Sequence, residues 1–279
     1  MSRYAVAHAK PNGPGDARPT ALQIIKDEGV EGKLQGEAIV ITGTSSGIGV
    51  ETARALAATG ATLYLIARDV AKAQSALAGI FEPSRMELIQ MDQASLASVR
   101  AAAAAILAKT SKIHLLVNNA GIMAIPDLRL TADGHELQKV ADDPSVAYGQ
   151  SKTANIYMAN EIERRYGPHH LHATSIHPGI IQTGLTQHMP PDAFKGMEFL
   201  YPTIKSVEQG AATSVWAAIG KAWEHKGGKY LVNCAVAEPY AEGDDKFSAP
   251  GYAPYAYDVE EAKRLWSDSL KLVGLPDEE

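Results

Sequence analysis

A chain of 279 residues with 26 basic and 32 acidic side chains has a formal net charge of -6, and the two signs are mixed along its length. That pattern excludes a basic stripe for nucleic acid and a polybasic membrane patch, which leaves small molecules as the expected partners. The single cysteine, Cys234, excludes an internal disulfide and a thiolate metal cluster and suits a reducing compartment. The histidines are scattered, with His169 and His170 in a turn, and no metal site is expected. No apolar run reaches the roughly 18 residues of a membrane span, and the first ten residues lack the apolar core of a secretion signal, so the expectation is a soluble cytoplasmic protein.

Residues 1–19 are rich in proline and glycine and read as a mobile tail. Thr20 and Gln23 then form a capping-box start for a short helix ending near Lys26 or Asp27. Residues 38–41 are apolar and β-branched enough for a strand buried on both faces. They run into Thr42-Gly43-Thr44-Ser45-Ser46-Gly47-Ile48-Gly49, after which apolar residues recur at helical spacing to about residue 59. Strand, glycine loop and helix in this order place free N–H groups at a helix N-terminus, where a dinucleotide pyrophosphate fits. A second strand spans 61–67, a helix 69–78, a third strand 86–90 ending at Asp92, an alanine-rich helix 95–109, and a fourth strand 113–117 ending in Asn118-Asn119-Ala120-Gly121. This alternation implies a doubly wound parallel sheet. Further on come a helix over 146–166, a strand over 171–176 ending in His177-Pro178-Gly179, and a loop or broken-helix lid over 183–201 containing Met189, Phe194, Met197, Phe199 and Tyr201. A helix over 206–219, a strand over 230–232, a loop with Tyr252, Tyr255 and Tyr257, and a helix over 258–272 complete the chain.

Tyr148 and Lys152 are four apart on the 146–166 helix, which puts phenol and ammonium on one face. A fixed cation favours the phenolate and brings a tyrosine closer to acid/base service near neutral pH.

The glycine loop from Thr42, Asn118-Asn119-Ala120-Gly121, Tyr148-Gly149-Gln150-Ser151-Lys152 and Pro178-Gly179 with Thr183, in that order, resemble the short-chain dehydrogenase/reductase family. The wording around Tyr148 is most similar to the branch of retinol dehydrogenases and their fungal relatives, and the resemblance covers about residues 20–235. It implies an α/β fold, a Rossmann-like doubly wound parallel sheet in one domain (33–279), preceded by the tail and short helix (1–32). It implies an NADP(H)-dependent oxidoreductase interconverting an alcohol and a ketone or aldehyde on a small, apolar or aromatic substrate. Carried over residue by residue, Ser45, Ser46 and Ile48 with Gly43, Gly47 and Gly49 hold pyrophosphate and ribose. Asp92 lies near the adenine, and Asn118, Ala120 and Gly121 near the nicotinamide-side sugar. Tyr148 exchanges the substrate proton, and Lys152 holds the ribose hydroxyls and lowers the tyrosine pKa. Pro178, Gly179, Ile181 and Thr183 clamp the carboxamide. Ala67 stands where an NAD-selective acid belongs, and Arg68 offers a 2'-phosphate a bidentate partner, so the cofactor expected is NADP.

The pattern departs from the family between Gly121 and Tyr148. Residues 122–147 are too few for the helix, central strand and loop the family places there, since typical elements of about 11 and 5 residues with their connections use all of that length. The segment around Thr131 resembles the start of that helix, the segment from Val146 resembles a position well past the strand, and 139–145 joins them. One central strand and one helix are therefore expected to be lacking, and with them the serine that hydrogen-bonds the substrate carbonyl. A gap or re-paired sheet follows, and the competing expectation is a non-catalytic dinucleotide-binding protein or a defective splice or gene-model product. An epimerase reading ranks last, because its glycines are spaced differently. Homodimerisation is left open, since the family pairs through the helix bearing Tyr148 and the helix that is lacking.

Overall fold

The computed structural model describes residues 2–125, 127–137, 144–187, 195–244 and 249–277, with the side chains of 144 and 145 left aside. The short helices α1 (Ala5–His8) and α2 (Ala21–Glu28) precede β1 (Ala38–Thr42). Every residue of β1 is buried, and its alternation serves two faces. Ile39 and Ile41 enter one core with Leu56, Leu63 and Leu65, and Ala38 and Val40 enter another with Tyr64, Ile66, Ala102 and Ile106. After β1 come α3 (Gly47–Ala57), β2 (Thr62–Ala67), α4 (Val70–Ala76), β3 (Met86–Gln90), α5 (Leu96–Leu107) and β4 (Leu115–Val117). These strands form a parallel sheet in the order β3-β2-β1-β4.

The long helix α6 (Pro144–Tyr166) leads to β5 (Ser175–His177); α7 (Val207–Gly210), α8 (Ala212–Ile219), β6 (Tyr230–Val232), β7 (Ala235–Val236) and α9 (Val259–Val273) follow. β5 pairs parallel with β6, and β6 antiparallel with β7. Among the described residues no pairing joins β4 to β5, so the sheet is split where the short 122–147 interval led us to expect a gap. α8 packs against β4 and also against β5 and β6. Val215 and Leu231 therefore share a core with Ile39 and Leu63, and the parts form one domain.

Several boundaries differ from the sequence reading. Residues 2–19 are not loose. Arg18 is buried and donates to the carbonyls of Gly13 (3.0 Å), Thr203 (2.8 Å) and Ile204 (2.7 Å). Gln209 Nε2 donates to the carbonyls of Asp16 and Arg18, both at 3.1 Å, so the segment is strapped to the region before and within α7. Thr20 caps α2 by accepting from the Gln23 N–H, but Gln23 turns its amide to Asp27 instead of closing the box. β4 starts at Leu115, not at Ile113, because the His114 ring nitrogen takes the Ala38 N–H at 3.0 Å. β5 starts at Ser175, not at Leu171, because His172 and the Ala173 N–H are held by the Glu163 carboxylate. The expected 206–219 helix is interrupted at Ala211. In the expected lid, Gly184–Thr186 and Glu198–Thr203 form 3-10 turns, while Met189 and Phe194 lie outside the described residues.

Candidate active site

The loops that carry the expected cofactor residues all leave the carboxyl ends of parallel strands, where ligands of doubly wound sheets bind. The loops after β1 and β4 are locked together. Thr42 Oγ1 accepts the N–H groups of Asn119 and Ala120, both at 3.0 Å, and Asn119 Nδ2 donates to the carbonyl of Thr42 at 2.9 Å. The glycines have no room for a side chain. A Cβ on Gly49 would stand 2.1 Å from the Gly43 carbonyl oxygen, and one on Gly43 would stand 2.8 Å from Ala120 Cα. Ser46 begins α3 without a side-chain capping bond, so the first turn of the helix keeps its N–H groups for an anion. This cradle fits a dinucleotide pyrophosphate.

The Pro178 to Thr183 loop closes on the same place. Thr183 Cγ2 is 3.3 Å from where a Cβ of Gly47 would be, and Ile181 and Ile48 both pack against Gly210, at 2.7 and 3.4 Å from its Cβ position. Lys205 supports the loop from beneath. It is buried, donates from Nζ to the Pro178 carbonyl at 3.0 Å, and leaves room at position 179 only for glycine, which has φ 103. Burial pushes the Lys205 ammonium down to about 8.

Lys152 reaches the β4 loop, its Nζ 3.5 Å from the Cβ position of Gly121, and stands over the Tyr148 ring at 5.0 Å from the centroid. Burial raises the Tyr148 phenol and lowers the Lys152 ammonium, each toward its neutral form. Desolvation of the phenol thus opposes the lowering expected from the neighbouring ammonium, which lies over the ring face. Lys152 keeps contact with solvent, so water moderates its side of the effect. Ser151 turns back to its own helix and donates to the Tyr148 carbonyl at 2.7 Å. Tyr148 also faces Tyr230, whose phenol burial pushes up to about 12. Tyr257 packs edge-on against Tyr252 at 4.8 Å and accepts the Tyr230 N–H, so part of the C-terminal tyrosine group lies near Tyr148 while Tyr255 is exposed.

Arg68 and Asp92 lie just after the ends of adjacent β2 and β3. Asp69 spends its carboxylate on the Lys72 N–H as the cap of α4, so it is not the partner of Arg68, which has no ion pair among the described residues. The Asp92 carboxylate accepts the Ala94 N–H at 2.9 Å and shapes its own loop. Asn118 is exposed at the end of β4. Ser145, the last residue of the 139–145 join, has its side chain outside the described residues. Thr42, Asn119 and Lys205 escaped the sequence reading as site residues. The first two sit inside quoted motifs, whereas nothing local marks a lysine 27 residues after Pro178 as its support.

A short-chain dehydrogenase/reductase of Penicillium roqueforti, prx1, is 41% identical to this chain, covering 98% of it and 95% of the relative. The chain belongs to the short-chain dehydrogenase/reductase family. The short chain dehydrogenase model of the family matches residues 37–142, and human retinol dehydrogenase 11 is 30% identical over 88% of each chain, which puts the chain on the retinol-dehydrogenase-like branch. A solved structure from Mycobacterium paratuberculosis shares the fold, with a TM-score of 0.66, 24% identity, and 94% of this chain and 100% of that chain covered. As short-chain dehydrogenase/reductases, such chains are oxidoreductases that use nicotinamide dinucleotides. The alignment with the Penicillium roqueforti family member runs over 326 positions, more than the 279 residues of this chain, so several dozen residues of the relative have no counterpart here. No helix among the described residues is long and apolar enough to cross a membrane.

Proposed function

We propose that the chain is an NADP(H)-dependent oxidoreductase that interconverts a hydroxyl and a carbonyl on a small apolar or aromatic substrate. The observation that carries this reading is the convergence of the glycine loop, the Asn118 to Gly121 loop, Lys152 and the Pro178 to Thr183 loop at one end of the sheet. A nicotinamide dinucleotide, when bound, supplies or accepts the hydride. The chain's own contributions are separable. The N–H groups at the start of α3, with Ser45 and Ser46, bind phosphate oxygens. Arg68 offers a fork of donors to a 2'-phosphate. Asp92 stands on the adenine side, and Asn118, Ala120 and Gly121 with Lys152 on the side of the second ribose. Pro178, Gly179, Ile181 and Thr183, braced by Lys205, orient the carboxamide. Tyr148 gives or takes the substrate proton at its phenolic oxygen, whose burial favours the protonated form. Tyr230 and Tyr257 supply aromatic surface beside it. Titration of NADPH and NADH, followed by assay of a panel of aromatic and aliphatic ketones with wild type and Tyr148→Phe, tests the reading. Failure to bind either dinucleotide overturns it.

A second reading, a dinucleotide-binding protein with little turnover, is favoured by the split between β4 and β5. The family-model match ends at residue 142, within the 139–145 join, and the relative's unmatched residues are of the right order for a helix, a strand and their loops. Sequencing the transcript across Gln138 and Lys139 tests this. An in-frame segment with a serine-bearing strand at that point removes the second reading and makes the short chain an artefact of the gene model.

A further inference from the structure

Three of the histidines that looked scattered in the sequence converge. His170 and His172 lie in the connector between α6 and β5, and His225 lies in the turn before β6. One ring nitrogen from each falls within 4.8 Å of the other two. The rings of His170 and His172 stand 6.1 and 6.2 Å from that of His225. His172 is held by a built support. Its Nδ1 meets the Glu163 carboxylate at 3.0 and 3.3 Å, and that carboxylate also accepts the Ala173 N–H at 3.0 Å. Gly167 and Gly227 make room for it, since Cβ atoms there would lie 2.9 and 2.0 Å from its oxygens.

A carboxylate on Nδ1 fixes the proton there and leaves the lone pair on Nε2. His172 Nε2 is buried and has no hydrogen-bond partner, an arrangement that calls for a ligand. His170 and His225 both adopt left-handed backbone, φ 65 and φ 59, which costs energy for a residue with a Cβ and is concentrated at functional sites.

We propose that His170, His172 and His225 form a site for a borderline divalent transition metal of the zinc type, with Glu163 as the carboxylate that orients His172. Three imidazole nitrogens suit zinc, copper, nickel or cobalt and not magnesium or calcium, which take oxygen ligands. Tetrahedral zinc with bonds of about 2.0 Å needs nitrogens about 3.3 Å apart. Rotation of the exposed His170 and His225 rings toward the held His172 supplies the closure. The Glu224 carboxylate, 4.0 Å from His225 Nε2, is within reach of the fourth position. The site ties the lead-in of β5 to the lead-in of β6, at the ends of those strands away from the Pro178 loop. Fifteen residues of α6 separate Glu163 from Tyr148, about 22 Å. The metal therefore stabilises the second sheet and takes no part in the proposed reaction, so the site is independent of it.

The test uses untagged full-length protein freed of metal with a chelator and titrated with Zn²⁺ against a chromophoric competitor, and with Co²⁺ by visible absorption. The expected result is one equivalent bound at about micromolar affinity or tighter, with a tetrahedral cobalt spectrum and a rise in Tm. His225→Ala and His170→Ala each weaken binding at least tenfold and abolish the rise in Tm. His169→Ala, in the same turn but outside the trio, leaves both unchanged. Glu163→Gln weakens binding about ten- to a hundredfold. Loss of the half-buried His172 can disturb folding, so the variants at the two exposed histidines are the decisive ones. Wild-type affinity in both His170→Ala and His225→Ala, or a stoichiometry other than one, overturns the proposal.

Discussion

Leu116 lies directly beside Val40 in the parallel register of β4 on β1, on the same face of the sheet, yet Leu116 is 58% exposed where Val40 is 2% exposed. α5 covers that face over β1 to β3, but its cover does not extend over β4. The contrast predicts opposite mutational outcomes. Val40→Ala is expected to cost about 2 kcal/mol through lost burial and a cavity, while Leu116→Thr stays within about 0.5 kcal/mol. Urea unfolding of the two variants measures both. A core-sized penalty at Leu116 means that a second copy of the chain or another segment covers β4 in solution.

The N-terminal strap depends on Arg18, which satisfies the carbonyls of Gly13, Thr203 and Ile204 and pairs with Asp16 at 2.8 Å. Burial alone raises the Asp16 carboxyl, but the guanidinium and the N–H groups of Asn12 and Arg18 outweigh it and hold the group well below the usual carboxylate range. Arg18→Ala removes the countercharge of that carboxylate and the donors to the Thr203 and Ile204 carbonyls, and is expected to destabilise the chain by about 3 to 5 kcal/mol. A drop below about 1 kcal/mol in a thermal or urea melt shows that the strap is dispensable.

β1, β2 and β3 were legible because each is an apolar run bounded by glycines or charges, and the glycine loop because local spacing alone requires its turn. Arg18 was not legible. Its partners at Thr203 and Ile204 are about 185 residues away, and prolines and glycines that read as looseness are used for close approach, as where the Gly13 N–H meets the Pro202 carbonyl at 2.9 Å. The start of β5 is hidden for the same reason: 171–174 has strand-like residues, but Glu163 on α6 claims His172 and Ala173. In the candidate site, the four-residue spacing puts Tyr148 and Lys152 on one helix face and the family resemblance gives them their expected roles, while the burial that acts on the phenol is recorded by no spacing.

His8 makes the strap pH-sensitive. Burial first, then the charges of Lys205 and Arg18, depress its imidazole to about 4, and its Nε2 is buried without a partner. The folded chain therefore takes up this proton less readily than the unfolded chain, whose histidine titrates near 6.5. Its contribution to stability is complete above pH 6.5 and is lost as pH falls through 4, on the order of 2 kcal/mol. Unfolding free energies at pH 7 and pH 4.5 are expected to converge in His8→Gln relative to wild type. An unchanged pH slope shows that His8 is not the group responsible.

Arg68 is expected to select the cofactor, because Asp69 is committed to capping α4 and leaves the guanidinium to a 2'-phosphate. A charge-assisted pair of this kind contributes about 1.5 to 3 kcal/mol, roughly ten- to more than a hundredfold in affinity. NADPH should bind tighter than NADH by that factor in wild type, and Arg68→Ala should erase most of the difference while changing NADH binding little. Equal wild-type affinities sink the assignment.

The 279-residue chain is expected to bind the dinucleotide and turn over slowly. The glycine loop belongs to the sheet of β1 to β4, whereas the Pro178 loop belongs to β5, and no pairing among the described residues holds the two sheets in register. Packing of α8 joins them in place of strand pairing, and a displacement of about 1 Å between reacting groups costs a hundredfold in rate. The phenol of Tyr148 can give a proton to a carbonyl oxygen, but among the described residues no strand between β4 and β5 supplies a second donor to steady that oxygen. Loss of one such donor costs on the order of a hundred- to a thousandfold. With NADPH and the ketone panel, kcat should fall at least a hundredfold below that of the Penicillium roqueforti relative assayed alongside, and Tyr148→Phe should remove what remains. Dinucleotide affinity, which depends on the intact β1 to β4 half, should stay within about tenfold of the relative's. Turnover equal to that of the relative and abolished by Tyr148→Phe shows instead that the split sheet positions its groups well enough for ordinary catalysis.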